Sequence, residues 1–148
     1  AGSDYFLYRR GSFSAIPPFA IGRAGWDNWM IYHARRSHWH VVDATADVTV
    51  IHQSHDYRHL PGGQPHYHLP ETDENIRLAG GRAMTRFTLL DVNRRLVGGR
   101  LRPPRLSGQA LRRAAEAFPL LAWNDPLLAE RLTAWFNRLQ ARLERKKD

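Results

Sequence analysis

Two groups of side chains in this sequence have the types and spacing to do chemistry. The first is a lone acid in an aromatic setting. The stretch "PPFAIGRAGWDNW", Pro17 to Trp29, carries Asp27 between Trp26 and Asn28, with Trp29 just beyond. Desolvation beside aromatic rings makes a carboxylate a better proton acceptor, whereas the first turn of a helix stabilises the anion. An acid here therefore suits either a general base or a plain helix-end charge. The second group is histidine-rich. All eight histidines fall between His33 and His68, and "HQSHDYRH" is the densest part, with His52, His55, Asp56 and His59. Neutral imidazole and carboxylate are ligands for zinc or manganese. A strand ending at His52, followed by a loop bearing His55 and Asp56, would bring them to one point. The spacing is not HExxH, so hydrogen-bonded loop histidines are the competing reading. "HYH", His66 to His68, sits among Pro and Gly with nothing to fix its geometry.

These side chains need elements to hold them. "DYFLYRR" alternates aromatic and aliphatic residues and predicts a strand. A Pro- and Gly-rich loop from Gly11 to Gly25 follows, and then "WDNWMIYHARRS" predicts a helix of about three turns. Trp26, Trp29, Met30 and His33 share one face of that helix, and Arg35 and Arg36 suit its C-terminal end. "HVVDATADVTVIHQ" is β-rich, with Val48, Val50 and His52 on one side. Ser54 to Leu69 is a long polar loop. "PETDENIRLAGG" is a short helix opened by Pro70 or Glu71 and closed by Gly80-Gly81. "RFTLLDVNRRLV" predicts a hairpin turning at Asp91 to Asn93, and Gly98 marks a further turn.

After Pro103-Pro104 two helices are expected. Ser107 caps the first, and Asp125 with Pro126 opens the second. On the second, Leu128, Leu132, Trp135, Leu139 and Leu143 form a stripe that wants burial, against its own domain or against a second copy. The expected fold class is mixed α/β. The "DYFLY", "DVTVIH" and "RFTLL" segments would build a small sheet, with the tryptophan-rich helix packed on it.

Composition narrows the function classes. A chain of 148 residues with 43% hydrophobic content fits one folded domain with a modest core. It has no apolar run long enough to span a bilayer and no signal-peptide pattern. The absence of cysteine rules out disulfides and thiolate metal sites, and a reducing cytoplasm is the default expectation. The net charge of +8 attracts polyanions, and Arg94, Arg95, Arg100, Arg102 and Arg105 crowd one short segment. A Walker loop, a GxGxxG after a strand, a GxSxG elbow, an RNP signature and a helix-turn-helix are all missing.

Taken in order, "SDYFLYRRG", "IPPFAIGRAGWDNWMIY", "VVDATADVTVIHQSHDYRH", "PETDENIRLAGG" and "RFTLLDVNRRL" resemble a bacterial family of glycosyltransferase-like proteins with the GT-A, nucleotide-diphospho-sugar transferase fold. The likeness runs from about Ser3 to about Leu96. "FAIGRAGWDNW" is its most specific part, and the tail after Pro104 lies outside it. The resemblance implies the acceptor-side half of such a domain over residues 1–104, with a helical extension over 105–148. It implies Asp27 as the base that takes a proton from the attacking hydroxyl. Trp26, Trp29, Asn28 and Arg23 would bind the acceptor. His52 or His55, with Asp56, would help hold a divalent ion, manganese or magnesium, on the donor diphosphate, and Arg58 would steady the phosphates. The partners would be a nucleotide-sugar donor and a carbohydrate acceptor.

The family's nucleotide-binding half normally carries a DxD motif. This sequence has none, since "DATAD" at Asp43 to Asp47 has the wrong spacing. The domain is therefore expected to act with an N-terminal nucleotide-binding half or partner chain. Two other classes stay open: a non-catalytic module that binds nucleic acid, another polyanion or a metal through its basic surface, and a scaffold that self-associates through the tail helix.

Overall fold

In the computed structural model, which describes residues 3, 5–51, 61–63 and 69–145, the tryptophan-rich segment forms helix α1, Trp26–Arg36. Gly25 stands at its N-cap with φ +104°, a left-handed conformation that glycine adopts without a Cβ clash. A Cβ there would also lie 3.4 Å from Thr85 Cγ2 and 3.7 Å from Asn75 Cβ. No side chain caps this end. Asp27 supplies negative charge in the first turn, and Arg35 and Arg36 supply positive charge in the last. The helix stops where His38 turns left-handed at φ +59° and the Trp39 amide donates back to the Ala34 carbonyl.

Helix α2, Pro70–Leu78, starts on its proline and ends before Gly80, as the sequence predicts. Its inner face holds Thr72 and Asn75. Asn75 is fully buried and works on the far side of the α1 loop. Its Oδ1 accepts from the Ala20 amide at 2.8 Å, and its Nδ2 donates to the carbonyls of Ala20 at 3.0 Å and Ala24 at 3.2 Å. One side chain thus satisfies three backbone groups of the segment that delivers Asp27.

The sheet is smaller than predicted and built elsewhere. Strand β1, Val42–Asp43, runs parallel to β2, Arg94–Val97, and β2 pairs antiparallel with β3, Arg100–Arg102. Gly98 and Gly99, both at positive φ, turn the β2–β3 hairpin. The Asp47 carboxylate accepts from the Gly98 amide at 2.8 Å and the Gly99 amide at 2.6 Å. Asn93 holds the parallel pair together, accepting from the Val41 amide and donating to the Trp39 carbonyl.

Three expected strands are corrected. Of the expected "DYFLY" strand, residues 5–8 are irregular, with Phe6 packed on Trp26 and Tyr8 on Phe13 while Tyr5 is exposed. Beyond Asp43 the β-rich segment turns and stays irregular to Ile51, with Val48, Val50 and Ile51 exposed. In "RFTLLDVN" a 3₁₀ turn, Leu89–Asp91, replaces the hairpin. Thr88 Oγ1 accepts from the Leu90 amide while Asp91 Oδ2 accepts from the Thr88 amide, a reciprocal cap that winds the chain.

Helices α3, Gly108–Trp123, and α4, Pro126–Glu144, form as expected, with Ser107 and Asp125 each accepting a first-turn amide. They pack on each other, and α3 also packs on α1, so α1 is not laid on the sheet. Ala117, Leu120 and Ala129 join Phe19, Trp29, Met30, Ile31 and Phe87 in one core. The α4 stripe departs from expectation along its length. Leu128 and Leu132 are half-buried, whereas Trp135, Leu139 and Leu143 are exposed, because Ala129 and Thr133 are the residues that face α3.

Buried charge ties the tail to the rest. Asp91 receives Arg113 Nη2 at 2.6 Å and Nε at 3.2 Å, and the same Nη2 reaches the Arg86 carbonyl. Glu116 pairs with Arg112 at 2.7 Å, and Arg112 goes on to Gln140 of α4. Among the described residues no helix is long and apolar enough to cross a membrane.

The Asn75 contacts yield a direct stability prediction. With net values of about 1 kcal/mol per hydrogen bond, Asn75→Ala should lower unfolding free energy by about 3 kcal/mol in urea titration. A loss under about 1 kcal/mol would show that packing alone holds the loop.

Candidate functional site

The site is assembled from a locked loop and the helix it feeds. Phe19 enters the core against Trp29, with ring centroids 5.2 Å apart, and Asn75 fixes the backbone at Ala20 and Ala24. Between those anchors Ile21 and Gly22 are exposed and Arg23 is half-buried. Arg23 Nε is shut off from water without an acceptor among the described residues. Asp27 then appears on the first turn of α1, half-buried and in no ion pair among the described residues.

The neighbours of Asp27 divide into surface and framework. Trp26 is half-buried, its ring tilted against Phe6 at 5.5 Å. Trp29 is 7% exposed and lies in the core, so its ring has no open face to offer a ligand. Asn28 donates its Nδ2 to the Phe87 carbonyl at 2.7 Å and so fastens α1 to the segment before the 3₁₀ turn. Of the residues grouped around Asp27 from the sequence, Arg23, Trp26 and Asn28 are half-buried and Trp29 alone is buried.

An aromatic hollow does exist, but other residues make it. A cleft of about 200 Å³ lies over the Met30–Ala34 side of α1, walled by Phe6, Tyr8, Phe13, Trp39 and His40. Tyr8 is exposed along its rim. The sequence signal for this hollow is the aromatic alternation in "DYFLYRR", a pattern that predicts a strand. Trp39 had no such signal, because it reaches Phe13 only through the left-handed turn at His38.

His33 sits behind this hollow, stacked on Trp29 at 4.7 Å and on Phe13 at 5.3 Å, with Trp39 edge-on. Burial holds its imidazole pKa below the ordinary histidine value. The predicted metal and phosphate residues, His52, His55, Asp56 and Arg58, lie outside the described residues, as do His59, His66 and His68. Among the described residues no group of three His, Asp or Glu side chains could hold a metal ion.

The basic segment is well defined. Arg94, Arg95, Arg100, Arg102 and Arg105 take part in no ion pair among the described residues, where the pairs belong to Arg77, Arg82, Arg86, Arg112 and Arg113. Arg95 and Arg102 face each other across the β2–β3 ladder.

Compared with protein-family models, curated proteins and solved structures, the chain matches none.

The environment of His33 sets a pH dependence. A base whose folded pKa is depressed binds its proton more readily in the unfolded chain, so stability rises with pH. Its contribution is complete above the unfolded value of about 6.5 and is lost as pH falls from there through the folded pKa. His33→Phe keeps the aromatic stack and removes the titration. The stability of the wild type relative to this variant should therefore decline below about pH 6.5. A pH-independent difference would contradict the assignment.

Proposed function

We propose that this chain is the acceptor-side part of a metal-dependent nucleotide-sugar glycosyltransferase, working in the cytoplasm with a nucleotide-binding half that supplies the donor site. One observation carries the reading: the half-exposed Asp27 carboxylate sits on a first helical turn whose approach is locked by Asn75 and by the strained-if-substituted Gly25. A base that removes a proton from an attacking hydroxyl needs such a fixed, reachable carboxylate. Trp26 provides the partly open ring beside it, and carbohydrate faces stack on aromatic surface. The motif order from about Ser3 to about Leu96 supports the same reading. His52, His55 and Asp56 are proposed for the divalent ion, and Arg58 for the diphosphate.

The mechanism needs little from this half beyond position. Asp27 would accept the acceptor's hydroxyl proton as the oxygen attacks the sugar's anomeric carbon. The nucleotide diphosphate then departs from that carbon with the bonding pair. The ion would offset charge growing on the leaving diphosphate.

Tryptophan fluorescence against a panel of glycans tests the acceptor role in the chain itself. Trp26→Ala should weaken the best binder at least tenfold, and Asp27→Asn should leave it within about threefold. When the chain is joined to its nucleotide-binding half, Asp27→Asn should reduce transfer by about 10²–10⁴-fold, the usual contribution of a general base. A panel without any binder, or full transfer by Asp27→Asn, would sink the proposal.

A second reading has its own observation. Arg95 and Arg102 stand directly opposite in the hairpin, an arrangement that costs stability unless an anion lies between them. It favours a module that binds nucleic acid or another polyanion. For a duplex of arbitrary sequence, log K should then fall against log salt with a slope of about −0.9 per phosphate neutralised. Arg95→Ala with Arg102→Ala should flatten that slope. If the wild type shows no retention on the duplex at low salt, this reading is removed.

A further inference from the structure

A second cleft lies beside the 3₁₀ turn, and the transferase reading does not use it. It measures about 280 Å³ and is enclosed by the end of α1, the residues from Leu90 to Asn93, the Pro104–Leu106 connection and the outer face of α3. That is near the lower end of small-molecule sites, which run from about 300 to 1,000 Å³. Most of its wall is apolar. Leu90, Leu106, Leu111 and Phe118 line it and are all exposed to solvent.

The charged groups in the wall do not balance. Arg35, Arg105 and Asp91 line the cleft. Asp91 is already committed: both of its oxygens accept from Arg113, and Oδ2 also accepts from the Thr88 amide. Arg113 therefore cancels the only carboxylate in the wall. Among the described residues Arg35 and Arg105 are in no ion pair, and Arg35 Nε is shut off from water without an acceptor. Burial depresses the Arg35 pKa, Asp91 partly restores it, and Arg94 adds repulsion. A guanidinium fork is shaped to receive a planar anion such as a carboxylate or phosphate.

We infer that this cleft binds a small amphiphile, a short apolar chain ending in one carboxylate or phosphate head. The head pairs with Arg35 at the inner end, Arg105 closes over it from the connection, and the chain covers Leu90, Leu111 and Phe118. The limited volume favours a single short chain over a folded partner. The inference stands apart from the sugar-transfer proposal, because Asp27, Trp26 and the histidine-rich segment play no part in it.

Titration of the full chain with octanoate, followed by amide chemical shifts below the micelle-forming concentration, tests it. Saturable shifts are expected at Leu111, Ala114 and Phe118. Octanol, with the same chain and no charge, should bind at least tenfold more weakly, and acetate should leave these amides unmoved. Octyl phosphate in place of octanoate distinguishes the two heads, and tighter binding of either one identifies it. Arg35→Met should bring octanoate down to the octanol level without changing octanol itself, and Ala114→Trp should fill the cleft and abolish both. Equal binding of octanoate and octanol by the wild type would overturn the inference, and so would octanoate shifts confined to the Arg94–Arg102 hairpin. The wild-type comparison decides the matter even if Arg35→Met does not fold.

Discussion

One buried amide organises the half of the molecule that carries the candidate base. Asn75 has no exposed surface and places its donor and acceptor against backbone groups more than fifty residues away in sequence. A loop with two prolines and three glycines has many conformations, and ordering it costs entropy. Three hydrogen bonds in a site closed to water make one conformation strongly preferred, because each broken bond would leave a buried polar group unpaired. Gly25 completes the constraint. Its left-handed backbone lets the chain turn into α1 while passing close to Thr85 and Asn75. Asp27 is where it is because these two residues leave the helix no other starting point.

The rest of the fold applies the same logic with charge. Asp91 closes the 3₁₀ turn through Thr88 and simultaneously receives the Arg113 fork, so one buried carboxylate joins the turn to α3. Such a pair does not add much stability over an apolar pair of equal shape, but losing one partner leaves a buried charge, so it enforces one arrangement. Arg86 does similar work toward Glu116 and Thr133, and Arg36 toward the Leu121 carbonyl. Arg35, Arg95 and Arg102 take part in no ion pair among the described residues. The contrast between paired Arg112 and Arg113 and unpaired Arg35, Arg95 and Arg102 separates framework from surface available to anions.

The helices were legible because their ends are written locally. Ser107 and Asp125 accept from amides three residues on, Pro70 and Pro126 stand at first helical positions where no amide donor is needed, and Gly80 supplies the positive φ that ends α2. The sheet was not legible, since strand existence depends on a partner edge that sequence alternation does not reveal. "DYFLY" has the right pattern, yet Phe6 packs on α1 and Tyr8 on Phe13 of the following loop. Thr88 and Asp91 look like turn residues and do form a turn, but a reciprocally capped one in place of a hairpin. The site was half legible. Asp27 stands at the start of its helix as expected, and Trp29 is buried with Met30 on the face the periodicity marks. The Asn75 clamp leaves no trace in local sequence, because it arises from contacts between distant segments.

The most direct test of this organisation is amide hydrogen exchange at Ala20, which donates to the buried Asn75 Oδ1. Exchange at that amide should be as slow as at core amides such as Trp29, opening only when the domain opens. Rapid exchange at Ala20, at the rate of an ordinary surface loop, would mean that the segment leading to Asp27 is not locked, and the account of how the carboxylate is positioned would fail with it.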